Sequence, residues 1–185
     1  MNATRTLLET LATVLEYPSH EGMRNIHAGL HALEALDRDA QGRADVEMLR
    51  SGVQALEALS QEEREELYTR CFDINPTASL ELGWHLYGEQ YERGSFLVLM
   101  REALRNAGID EGGELPDHIS SVLRFVARLD DESRREFARR YLRRALTTMR
   151  DKWQGEHHPY VHCLEAVYLL IEDVTHSHEG EHSHA

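Results

Sequence analysis

His85 stands four residues before Glu89 in the stretch Trp84-His85-Leu86-Tyr87-Gly88-Glu89, a spacing that lets an imidazole and a carboxylate share one face of a helix. Such a pair could do general acid and base chemistry, yet no nucleophile, phosphate loop or complete metal signature accompanies it. The bland reading outweighs it: Trp84 and Leu86 fill a core, Glu89 pairs with Arg93, and His85 is a satisfied, partly buried residue. A second set, Glu114-Leu115-Pro116-Asp117-His118, marks a loop-to-helix junction. Pro116 pre-sets the entry and Asp117 complements the helix dipole. His118 is less well explained and could hydrogen-bond a peptide or a nucleotide.

Other imidazoles point to metals. His157, His158 and His162 flank Pro159, but an ordered zinc site needs three or four correctly directed ligands. His176, His178, His182 and His184 alternate with small and acidic residues near the end of the chain, where flexible imidazoles could take up zinc or nickel adventitiously. No stably bound cofactor is expected. Arg134, Arg135, Arg139, Arg140, Arg143, Arg144 and Arg150 crowd one segment; such a stripe could dock an acidic patch, but it reads first as a solvated helix face paired with Asp131, Glu132 and Glu136.

The elements that must position these residues are helices. Leu7, Leu8, Leu11, Val14 and Leu15 recur at helical spacing up to Tyr17-Pro18, where proline disfavours the helical region before it. Further stripes run through Met23 to Leu36 and Val46 to Leu56. Ser60-Gln61-Glu62-Glu63 is a capping box whose helix runs to about Phe72. Asn75-Pro76 opens the next segment, through Leu82 and Leu86, and a stripe from Phe96 to Ala107 ends at Gly108. Pro116 and Asp117 open another helix, Asp130 or Asp131 caps one that reaches about Arg150, and the last spans about Pro159 to Val174. No segment alternates with period two. The expectation is all-α: one domain over residues 1–174, a bundle of about eight helices, followed by a disordered His-rich acidic tail over 175–185.

Composition narrows the partners. With 20 Lys plus Arg against 33 Asp plus Glu the formal charge is -13, which repels nucleic acid and anionic membranes and favours basic client segments. Two cysteines, Cys71 and Cys163, suit a reducing compartment. No export signal and no apolar run of membrane-spanning length is read, so a cytoplasmic location is expected.

Between Tyr68 and Arg93, Phe72-Asp73-Ile74-Asn75-Pro76, Ser79-Leu80, Leu82-Gly83-Trp84-His85-Leu86-Tyr87-Gly88-Glu89 and Arg93-Gly94 resemble in order and spacing the central signature of the respiratory nitrate reductase delta-subunit family, within the wider group of molybdoenzyme assembly chaperones. Glu114 to His118 resembles its second loop, and the resemblance spans about Leu7 to Val174. It implies an all-helical chaperone, not an enzyme, that binds the N-terminal segment of the catalytic alpha subunit and keeps it competent for molybdenum cofactor insertion. Such a subunit is absent from the finished reductase and could also meet molybdenum cofactor delivery proteins. The peptide-binding role falls on Tyr68, Phe72, Asp73, Trp84, His85, Tyr87, Glu89 and Arg93, and on Leu115, Asp117 and His118. The alternatives are a chaperone for another molybdoenzyme of the group, or a metal-handling protein using the tail.

Overall fold

The computed structural model describes residues 2–36, 42–74, 79–110, 112–153 and 155–176. They form ten α-helices: α1 Ala3–Val14, α2 His20–Leu36, α3 Ala44–Glu57, α4 Gln61–Tyr68, α5 Leu82–Tyr87, α6 Tyr91–Asn106, α7 Ile119–Arg128, α8 Asp131–Phe137, α9 Arg143–Trp153 and α10 Pro159–His176. One π-helical turn, Thr69–Asp73, prolongs α4, and another, Ala138–Leu142, fuses α8 to α9. The described residues therefore make nine continuous rods where about eight were expected. Among them there is no strand, only an isolated bridge between Glu81 and His118.

The local signals explain most helix starts. The Asn2 side chain accepts from the Arg5 amide at 2.9 Å, Ser60 and Glu63 close the capping box, and Asp130 accepts from the amides of Glu132 and Ser133. Each satisfies amides that a helix start leaves without partners. The apolar stripes then meet. Leu7, Leu8 and Leu11 of α1 are fully buried where that helix lies between α2 and α7. The most extensive pairing joins α3 to α10, and Gly52 permits it, since a Cβ there would sit 2.5 Å from Cys163 Sγ and 3.1 Å from the Pro159 carbonyl oxygen.

Three expectations need correcting. The helix after the second loop starts at Ile119, not at Pro116 or Asp117; His118 is its cap, and its ring accepts from the Ser120 amide. The helix from Ser60 reaches Phe72 as expected, with its last turn π from Thr69, while α10 runs two residues beyond Val174, with Thr175 buried. The arginine stripe is solvated at Arg139, Arg140, Arg143 and Arg144 as expected, but its main partners do not lie along its own helix. Arg134 is buried and donates to the Val126 and Leu129 carbonyls, closing the end of α7. Arg139 donates to the Thr175 carbonyl, Arg143 pairs with Glu172 and Arg150 with Glu165, so this stripe clamps α9 and the turn before it onto α10. Arg134 to Asp131 follows the local scheme. The readings at Asn75 and Pro76, and for the tail from residue 177, lie outside the described residues.

Candidate functional site

The two motifs, thirty-odd residues apart, are knitted together by backbone. The Leu82 amide donates to the Asp117 carbonyl at 2.9 Å and the Ile119 amide donates to the Leu80 carbonyl at 2.9 Å. Asp117, fully buried, accepts the Gly83 amide on Oδ2 at 3.0 Å. Glycine is required at 83, because a Cβ would lie 2.5 Å from that carboxylate oxygen and 3.1 Å from the Phe96 ring. Burial pushes the Asp117 carboxyl above the usual carboxylate range, against the Gly83 amide and the Arg93 charge, which favour the anion. Arg93 also lies over the Trp84 ring, 5.4 Å from its centroid.

Not all predicted residues converge on one surface. Tyr68 and Phe72 are core: with Tyr17 and Tyr160 they form an edge-on ring cluster with centroids 5.0 to 5.8 Å apart, and the Tyr68 hydroxyl donates to the Leu15 carbonyl at 3.3 Å. Tyr87 packs on Phe96 beneath the Arg144 guanidinium. His85 and Glu89 do not form a pair. Helix α5 ends at Tyr87, Gly88 adopts φ of 58°, and Glu89 is left exposed while His85 is buried with Nε2 2.8 Å from the Ser79 carbonyl oxygen. A carbonyl only accepts, so Nε2 carries the proton. Glu89 does not pair with Arg93 either: among the described residues no ion pair joins them.

His118 is buried at 3% exposure, and its Nδ1 lies 2.7 Å from Ser120 Oγ and 3.3 Å from the Ser120 amide. That amide can only donate, so Nδ1 is unprotonated. Burial holds the His118 ring below its ordinary 6.5, with Glu114, Glu81 and Glu16 opposing the shift. The unfolded chain thus takes the proton first. The stability His118 contributes is complete above about pH 6.5 and is lost as pH falls below that toward the folded value. The unfolding midpoint should fall between about pH 7.5 and about pH 5.5, and H118N, which keeps a cap acceptor without titrating there, should flatten the fall. Asp117 acts with the opposite sign, from 3.8 upward, so the comparison of the two proteins isolates the imidazole. Equal slopes in a calorimetric series would refute the assignment.

What sequence reading missed is a surface. Tyr17, Ile74 and Leu115 are 51%, 73% and 44% exposed, large apolar side chains left in water. The segments that carry them also bring Glu16, Asp73 and Glu114, and with Glu81 these are the four charges that bear on the Tyr68 hydroxyl and push it up together with burial. Glu16 is paired with Arg124. Asp73, Glu81 and Glu114 have no salt bridge among the described residues. Of the predicted residues, Asp73 and Leu115 belong to this face directly, Tyr68 supports it from behind, and Asp117 and His118 fix the loop that presents it. The charges of its segments could have been read in the sequence; the meeting of residues 16, 73 and 114 could not.

The same π turn walls a pocket of about 370 Å³, into which Phe72 and His85 reach along with Trp153 and Met149. His157 and His158 lie at this pocket, but among the described residues no group of three ligating side chains could hold a metal ion. His176 is the last residue of α10, its Nδ1 2.7 Å from the Glu172 carbonyl oxygen, while His178, His182 and His184 lie outside the described residues. No described helix is long and apolar enough to cross a membrane.

The model of the nitrate reductase delta subunit family matches residues 37–165. The chain belongs to that family. The match contains both knitted motifs and all eleven predicted peptide-binding positions. A relative from Bacillus subtilis (strain 168), a probable nitrate reductase molybdenum cofactor assembly chaperone NarJ, is 28% identical over 145 residues, 77% of each chain. A crystal structure of a putative redox enzyme maturation protein from Archaeoglobus fulgidus superposes with a TM-score of 0.64 at 17% identity, covering 91% of this chain and 93% of that one. The delta-subunit chain thus shares its fold nearly end to end with that protein.

Proposed function

We propose that this chain is an assembly chaperone for a nitrate reductase: it binds the N-terminal segment of the catalytic alpha subunit in the cytoplasm and keeps that subunit open for molybdenum cofactor insertion. The observation that carries the reading is the acidic, apolar face of Tyr17, Ile74 and Leu115 with Asp73, Glu81 and Glu114. An amphipathic basic helix is the complementary partner: its apolar side covers the three exposed side chains and its cations meet carboxylates that have no salt bridge among the described residues. Family membership supports the identity of the client, and the name of the Bacillus relative supports the cofactor step.

The test is calorimetry of the full chain against a synthetic peptide copying the N-terminus of the alpha subunit encoded with it. Binding that weakens with added salt is expected, because exposed charges are screened. Absence of heat, together with no complex with the intact alpha subunit, would sink the reading.

A further inference from the structure

The pocket beside the π turn has no part in the proposed client face. Its body is apolar, built from Leu67, Phe72, Met149, Trp153 and Leu164, and its volume of about 370 Å³ is that of a small-molecule site. Arg70 and Lys152 line it from exposed positions. In a chain of net charge -13, with carboxylates in excess, neither cation has an ion pair or a hydrogen bond among the described residues. Glu156, the carboxylate at this pocket, leaves one positive charge over.

Two imidazoles add a second, independent feature. His85 is 8% exposed; its Nε2 proton is spent on the Ser79 carbonyl, and its Nδ1 has no partner. The Nδ1 of His158 is likewise buried and without one. A buried polar atom left unpaired destabilises the fold, and the cost is removed when a ligand supplies the missing group. With Nε2 protonated, His85 Nδ1 is an acceptor, so the missing group is a donor.

We infer that this pocket binds a small organic anion with a flat apolar body seated against Trp153 and Phe72, an acidic group met by Arg70 and Lys152, and an N–H or O–H donated to a histidine nitrogen. Apolar walls with a few convergent polar groups supply affinity and orientation respectively. Charge-assisted bonds to the two cations supply the preference for an anion over its neutral counterpart.

The probe is 8-anilinonaphthalene-1-sulfonate, which carries a fused ring, a sulfonate and one N–H, set against N-phenyl-1-naphthylamine, the same skeleton without the sulfonate. Fluorescence titration of the full chain should show one sulfonate probe per chain, binding at least about tenfold more tightly than the neutral compound. The R70Q/K152Q double variant, altered only at exposed positions, should melt at the same temperature and lose that preference. M149W, which fills the pocket, should abolish saturable binding of both. Equal affinity for the two compounds, unchanged preference in R70Q/K152Q, or several probes bound per chain would overturn the inference. No client is present in the assay, so its failure leaves the client reading untouched, and the reverse also holds.

Discussion

Replacing Asp73 and Glu114 together by lysine should weaken client-peptide binding by about 100-fold. An exposed ion pair is worth about 0.2–1 kcal/mol, and reversing a charge loses that attraction and adds a comparable repulsion. Each site therefore costs about 1.4 kcal/mol, a factor of ten, and two sites in separate segments act nearly independently. Both side chains are exposed and hold no hydrogen bond or ion pair among the described residues, so the melting temperature should stay where it was. The control is E102K/E136K, with the same change in net charge on α6 and α8. If the control weakens binding as much as D73K/E114K, the effect is one of overall charge, and the acidic face loses its claim.

The largest expected loss of stability comes from Y160A. Tyr160 is 1% exposed, and its ring meets Tyr68 at 5.8 Å and Phe72 at 5.1 Å edge-on. Truncating a buried aromatic to alanine costs about 3–5 kcal/mol, transfer and cavity together. For a chain of this length each kcal/mol lowers the midpoint by about 2–4 °C, so a fall of about 10 °C is expected by calorimetry. Y160F keeps the ring and should cost less than about 1.5 kcal/mol. A fall of only a few degrees in Y160A would mean that the cluster closes over the gap. Tyr68 and Phe72 would then lose their common support, one behind the client face and the other in the wall of the pocket.

The helices were legible because their signals are local. The capping box at Ser60, the cap at Asp130 and the leucine stripe of α1 each lie within a few residues, where sequence spacing and spatial spacing coincide. Asp117 shows where that stops. Near a helix start it reads as a dipole partner, but its carboxylate is committed to the Gly83 amide, 34 residues away, a bond no window of sequence contains. His85 and Glu89 had helical spacing, and Gly88 removed the helix beneath them. Apart from Arg134 the arginines are at the surface as read, but their pairing was not legible, because Glu165, Glu172 and the Thr175 carbonyl belong to another helix. The resemblance named the segments, while the sorting of their residues into wall, support and surface depended on packing that only the three-dimensional arrangement supplies.

The π turn at Thr69–Asp73 fixes the length of the chain at that point. Five residues there make a wider turn than α-helix geometry allows, and each residue of an α-helix turns its successor by about 100°. Deleting one residue and restoring the regular helix would swing Asp73 and Ile74 by about that angle relative to α4, changing where the carboxylate and the exposed apolar side chain of this face point. Substitutions in the turn should therefore be better tolerated than a change of its length by one residue.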